Sequence, residues 1–282
     1  QNDQQYSDGL FYEYRDTVAH SIHPRSGPVL GGTTVVVRGS SFDAPGSLGL
    51  LCSFVGLDVV AASFEGETGV RCVTPPAARA GAAAVQLVDS DAVLVTSVAF
   101  VYQPHVYVSS IEPVLGVLGG GTLLRVSGSG FIASPGLLVR IGSRAPVVAR
   151  VLSGGMLECT TPVQPEAGLV SVEVTLNERD YSSDEVLFEY LQPLQLDELS
   201  PPRGPLSGGT LVNVSGSGFS RRAALLAYTN ARFNTTRVPV VWVSSGELHC
   251  VAPEHPAGLV SVSVTQNDQQ YSDGLFYEYR DT

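Results

Sequence analysis

Few side chains in this 282-residue chain are of a type and spacing that could do chemistry. His20 and His23 form an H-x-x-H, a spacing that offers two imidazoles to a metal on a helix. Here, however, they fall in a strand-like segment, with no carboxylate or cysteine at a ligand spacing. The other histidines, His105, His249 and His255, stand alone. No G-x-S-x-G elbow and no phosphate-binding glycine loop occurs, so neither a catalytic site nor a cofactor or metal site is expected. Four cysteines, Cys52, Cys72, Cys159 and Cys250, leave structural or redox roles open. Asn213-Val214-Ser215 and Asn234-Thr235-Thr236 are N-glycosylation sequons. Acidic clusters at Asp89-Ser90-Asp91, Asn177-Glu178-Arg179-Asp180 and Ser183-Asp184-Glu185, with Asn267-Asp268-Gln269 at the corresponding place and Asp197-Glu198 farther on, lack a repeated D-x-D pattern. They read as solvated turns rather than calcium ligands.

What positions these residues is a repeat. Residues 1–17 recur unchanged as 266–282, so one full period of 265 residues is present with the tail of a preceding copy. The expected parent is a longer repetitive protein, although an engineered duplication would read the same. Inside this period lies a shorter one. Gly-Gly-Thr occurs at Gly31, Gly120 and Gly208, and Gly-Ser-x-Phe at Gly39, Gly128 and Gly216. Cys-x-x-Pro begins at Cys72, Cys159 and Cys250, and aromatic-x-Tyr ends at Tyr14, Tyr102, Tyr190 and Tyr279. The implied boundaries are a last strand of a preceding repeat at 1–17 and modules at 18–104, 105–192 and 193–282, each of ordinary domain size.

Each module reads as strands. Val35 and Val37, Leu124 and Val126, and Val212 and Val214 share one parity, while Arg38, Arg125 and Asn213 take the other, which puts Asn213 on the outward side. No stretch carries a capped 3.6-residue period. Thirty glycines and 18 prolines shorten the strands, and about seven strands per module predict all-β, immunoglobulin-like sandwiches in tandem. The inter-module segments, such as Gln103-Pro104-His105 and Leu191-Gln192-Pro193, are too short for free motion and predict an end-to-end, stiff array.

The run Ile22-His23-Pro24-Arg25-Ser26-Gly27-Pro28 through Gly31-Gly32-Thr33 and Phe42, followed by Cys52, Cys72-Val73-Thr74-Pro75 and Phe100-Val101-Tyr102, resembles an IPT/TIG domain. The third module repeats it from Leu199 to Phe219. The second repeats it from Ile111 to Phe131, with Gly116-Val117 in place of Gly-Pro. The resemblance spans essentially the whole chain and implies the sandwich of plexin-type receptors, fibrocystin-like ciliary surface proteins, Rel-type transcription factors and some starch-converting enzymes. It also implies a Cys52–Cys72 disulfide, whose loop would stabilise by about 3 kcal/mol. Cys159 and Cys250 have Val139 and a residue near Ala231 where that partner would align. They are expected as buried free thiols or as links to a neighbouring chain.

Composition selects among these relatives. The net charge is −11, and all 16 basic residues are scattered arginines, so no basic stripe suits nucleic acid. Arg221-Arg222 reads as a solvated loop. No apolar run approaches a membrane span, so any membrane attachment is expected outside these residues. The expected role is a non-enzymatic structural or adhesive unit of an extracellular rod or filament at a cell or ciliary surface. Its expected partners are neighbouring identical repeats, with other surface glycoproteins second. The alternative is a receptor-like ectodomain binding a protein or glycan through inter-strand loops of one module, with Tyr228, Phe233 and Trp242 the candidates for an exposed aromatic cluster, although core packing is the first reading of Phe233 and Trp242.

Overall fold

The computed structural model describes residues 18–42, 49–89, 92–93 and 98–281. The expected extra strand at 1–17 lies outside the described residues, as do Ser90 and Asp91 of the first acidic cluster. Two compact units are present, residues 1–105 and 106–282.

In the first unit the strands are β1 (Val18–His23), β2 (Ser26–Pro28), β3 (Thr34–Ser40), β4 (Leu51–Phe54), β5 (Val59–Ala61), β6 (Ser63–Phe64), β7 (Gly69–Val73), β8 (Gly81–Asp89), β9 (Ala92–Val93) and β10 (Val98–Gln103). They form two sheets, β1-β3-β7-β6 and β2-β10-β8-β4-β5, with β9 on the edge of β8. Among the described residues of this unit, only β2 pairs in parallel, against β10. The period-two pattern read in β3 is realised: Val35 and Val37 are buried and Thr34 and Arg38 face out. Phe42, Phe54 and Phe100 complete a core between the sheets.

The second unit holds two such sandwiches. The first consists of β11 (Tyr107–Glu112), β12 (Leu115–Val117), β13 (Leu123–Ser129), β14 (Leu138–Ile141), β15 (Val147–Val148), β16 (Arg150–Ser153), β17 (Met156–Thr160), β18 (Gly168–Thr175) and β19 (Leu187–Leu191). Its sheets, β11-β13-β17-β16 and β12-β19-β18-β14-β15, repeat the order of the first unit. The second consists of β20 (Gln195–Ser200), β21 (Arg203–Pro205), β22 (Leu211–Ser217), α1 (Arg221–Leu225), β23 (Asn230–Phe233), β24 (Thr236–Ser244), β25 (Glu247–Val251), β26 (Gly258–Thr265) and β27 (Leu275–Arg280). It departs from the pattern because β24 is unbroken. Its first half pairs with β23 and its second half with β25, so all eight strands join in one sheet that folds over the core. In the other modules the corresponding segment breaks at Ala62 and Ala149, leaving two sheets.

The recurring motifs meet one another in space. The hydroxyls of Tyr102, Tyr190 and Tyr279 donate to the carbonyls of Pro75, Pro162 and Pro253, each at 2.8 Å, so aromatic-x-Tyr locks Cys-x-x-Pro in every module. In Gly-Ser-x-Phe the glycine lies directly against the first strand. A Cβ at Gly128 would meet the Tyr107 carbonyl oxygen at 1.9 Å, with the Phe131 ring close behind. Gly31, Gly120 and Gly208 have φ near +70° and turn the chain onto the Cys-x-x-Pro backbone, where a side chain would collide.

Candidate functional site

The joint between the second and third modules is built from a loop that the sequence presents only as polar filler, residues 266–270 between β26 and β27. Asn267 shapes it: its Oδ1 accepts the N–H groups of Gln269 and Gln270 at 3.1 and 3.0 Å, an Asx-type turn that lets Asp268 adopt φ +61°. Two further residues moor the loop to its own module. Gln266 accepts from Ser220 N–H at 2.6 Å and donates to the Gly218 carbonyl at 3.0 Å. Asp268 takes Arg237 Nη2 at 2.7 Å and Asn230 Nδ2 at 3.1 Å.

Gln269 and Gln270 reach across to the second module. The last cross-strand pair of β11 with β13 is Glu112 opposite Arg125, so Leu123 lies beyond the end of β11. The Gln269 amide takes the place of that absent strand residue. Its Oε1 accepts Leu123 N–H at 2.7 Å and its Nε2 donates to the Leu123 carbonyl at 2.9 Å. Gln270 Oε1 accepts from the Thr122 hydroxyl at 3.0 Å, and Nε2 donates to the Gly121 carbonyl at 3.1 Å. The Gly-Gly-Thr turn is therefore both a fold element and the socket for this clasp.

A second tie lies close by. Ser220 caps α1, accepting Ala223 N–H at 3.4 Å, and the helix presents Arg222, whose Nη1 reaches Glu189 Oε2 on β19 at 2.9 Å. Arg221 lies over the Trp242 ring at 5.8 Å. Arg221 and Arg222 are exposed as expected, but the segment is a short helix rather than a loop: a buried Ala223 anchors it and one arginine reaches across the joint. Alongside the clasp runs a cleft of about 240 Å³ walled by Leu115, Val117, Leu191, Pro193 and Tyr271, which places the short linker among side chains of both modules.

The second module lacks these clasp residues. There Asn177 makes the same turn, accepting Arg179 and Asp180 N–H at 3.1 and 2.8 Å, but Leu176, Arg179 and Asp180 stand where the third module has Gln266, Gln269 and Gln270. Leu176 turns into the core. The acidic cluster after it is more than a solvated turn, since Asp184 Oδ2 accepts Val108 N–H at 2.7 Å beside the bulge in β11.

The cysteines occupy equivalent strand positions. Cys52 on β4 and Cys72 on β7 are joined across the two sheets, with Cα atoms 6.4 Å apart. Cys159 on β17 and Cys250 on β25 take the place of Cys72, with Val139 on β14 and Ala231 on β23 in that of Cys52. Both thiols are free and nearly inaccessible, at 4% and 3% exposure, and burial pushes each up to about 12. Burial of this kind disfavours reaction of either thiol with a neighbouring chain while the module is folded.

Asn234 is exposed at the two-residue turn between β23 and β24. Asn213 lies on the outward side of β22 but between β20 and β25, with Oδ1 buried. His20 and His23 are exposed on β1 and His105 is exposed. His249 pairs with Glu247 at 2.9 Å, and His255 stacks on Tyr279. Among the described residues no group of His, Cys, Asp and Glu could hold a metal, and no helix is long and apolar enough to cross a membrane. The three aromatic residues do not form an exposed cluster. Phe233 is fully buried edge-on to Tyr277, Trp242 packs on the core and donates to the Phe219 carbonyl at 3.1 Å, and Tyr228 is half-buried.

Against known proteins, the IPT/TIG domain family model matches residues 18–102, 107–190 and 194–279. Fibrocystin-L of Mus musculus is 28% identical over 263 residues, covering 91% of this chain and 6% of that protein. Plexin-B1 of Homo sapiens is 29% identical over 205 residues, covering 70% of this chain and 10% of that protein. The chain thus spans a tenth or less of the length of these relatives. Among solved structures, the full extracellular region of plexin A4 aligns over 90% of this chain and 23% of its own, with a TM-score of 0.43 and 19% identity.

Proposed function

We propose that this chain, which belongs to the IPT/TIG domain family, is a structural or adhesive segment of a long extracellular protein, a rod or filament at a cell or ciliary surface. The observation that carries this reading is the clasp. Gln269 and Gln270 direct four hydrogen bonds onto the neighbouring module's backbone and hydroxyl, and Arg222 adds an ion pair. Loops at the ends of immunoglobulin-like sandwiches are free to recognise ligands. A loop committed to the preceding module instead holds one domain against the next and transmits load.

The exact recurrence of 17 residues supports the same reading, because an assembly built from identical units reuses one joint along its length. The neighbouring partner is then another copy of the same repeat. No catalytic role is proposed: the recurring motifs are accounted for by turns, strand contacts and the tyrosine–proline lock.

Electron microscopy of the parent protein tests the reading. Long, straight particles with an axial repeat of one or three modules are the expected result. Dispersed particles that bend freely between the second and third modules would refute it and favour a receptor ectodomain.

A further inference from the structure

The second and third modules carry the same arginine–tyrosine pair at the same place in the sheet, with one difference beside it. In the second module Arg140 on β14 lies opposite Glu173 on β18, and its guanidinium stands 3.8 Å from the Tyr181 ring centroid. Arg140 Nε donates to Glu173 Oε2 at 2.7 Å, and Nη2 bonds the same oxygen. In the third module Arg232 on β23 stands 3.8 Å from the Tyr271 ring centroid, but its partner on β26 is Ser263. Arg232 Nε is buried, and among the described residues it has no hydrogen-bond partner.

The surroundings increase the positive charge. Across the other strand Arg232 faces Arg237, a like-charge pair, and Asp268 is already engaged by Arg237 and Asn230 through its two oxygens. Asp268 thus serves Arg237 and leaves Arg232 without that carboxylate, and the outward residues of β26 nearest to Arg232, Ser261 and Ser263, are uncharged. Arg232 as a whole is half-buried, and the short Ser263 stands where the second module has Glu173.

We propose that Arg232, held flat by Tyr271 and reinforced by Arg237, is a carboxylate-binding site for an acidic peptide segment of a partner protein. A glutamate or aspartate side chain of the partner would take the position of Glu173, which requires the Arg232 Nε edge, buried in the unliganded chain, to open towards it. The second module supplies the template: the same stacked guanidinium, with a side-chain carboxylate of the glutamate type on its Nε edge. Arginine suits this task because its planar fork meets a carboxylate in fixed geometry while an aromatic ring covers its face. The inference is independent of the rod reading, since it concerns a face within the third module alone.

The test is nitrogen-15 NMR of the arginine Nε–H groups in the full chain, titrated with hexaglutamate at low salt and with hexaglutamine as control. The expected result is a saturable shift of the Arg232 resonance with hexaglutamate alone, while Arg140, already paired, does not move. Charge-assisted hydrogen bonds of this kind predict that Arg232→Gln weakens binding roughly 10- to 100-fold. Ser263→Glu, which rebuilds the second module's pair, should abolish binding and move the unliganded Arg232 resonance toward that of Arg140, and it serves if Arg232→Gln fails to fold. Absence of a saturable shift in the unsubstituted chain, or undiminished binding by Ser263→Glu, would overturn the proposal. So would a sulfated oligosaccharide that saturates Arg232 where hexaglutamate does not, which would reassign the site to sulfated sugars.

Discussion

Replacing Gln269 and Gln270 by alanine should uncouple the third module from the second without unfolding either. Each glutamine makes two hydrogen bonds across the joint, of 2.7 and 2.9 Å for Gln269 and 3.0 and 3.1 Å for Gln270. A typical net contribution of about 0.5–1.5 kcal/mol per bond, taken at its lower end for the exposed ones, predicts a loss of about 1–2 kcal/mol for each single variant and about 2–4 kcal/mol for the pair. The Leu123 amide reports it directly, because Gln269 Oε1 accepts that N–H. By the tenfold-per-1.4 kcal/mol rule its hydrogen exchange should quicken roughly 5- to 30-fold in Gln269→Ala, while amides inside β26 keep their protection. Gln269→Glu sharpens the test. It keeps the acceptor for Leu123 N–H but turns an oxygen toward the Leu123 carbonyl, so its loss should be no smaller than that of alanine. Unchanged exchange at Leu123 in both variants would refute the clasp.

Other outcomes follow from the same geometry. Tyr277→Phe should stabilise the third module by about 1 kcal/mol in denaturant melts, because the Tyr277 hydroxyl is buried without a partner where the other modules carry Phe100 and Phe188. Reduction of Cys52–Cys72 should lower the stability of the first module by about 3 kcal/mol. Cys159 and Cys250 should stay unreactive toward thiol reagents at neutral pH until the chain unfolds. Tyr102, Tyr190 and Tyr279 are raised by burial from 10.0 to about 12. Folding therefore favours the protonated phenol, and that contribution is whole below pH 10 and lost as pH rises towards 12. Alkaline unfolding followed by tyrosinate absorbance should fall in that window, and an earlier, gradual ionisation of all three would contradict it. In secretory expression, peptide mapping should find a glycan on exposed Asn234 and none on Asn213, whose Oδ1 lies shut between neighbouring strands.

Much of the architecture was legible because it is stamped three times. The alternation in Thr34–Ser40 and its counterparts marks which side chains enter the core, since successive residues of a strand face opposite sides whatever surrounds them. The first glycines of Gly-Gly-Thr, Gly31, Gly120 and Gly208, mark turns by local sterics, since their φ is positive. The alignment that set Val139 and Ala231 in the place of Cys52 needed only the repeat. The Arg221-Arg222 pair is exposed, as expected, but its tie to Glu189, like that of Asp184 to the Val108 amide, was not legible because those partners lie 33 and 76 residues away.

The amino-acid order by itself thus determined module number, strand parity and the motif framework, because each depends on neighbours within a few residues or on a repeat visible along the chain. Tertiary structure alone decided what those modules do to one another. The clasp joins residues 146 and 149 apart, and nothing local distinguishes a glutamine that reaches the next module from one that faces water. The unbroken β24 and the lone Arg232 have the same origin: each is defined by what the opposing strand supplies, and only folding brings that strand alongside.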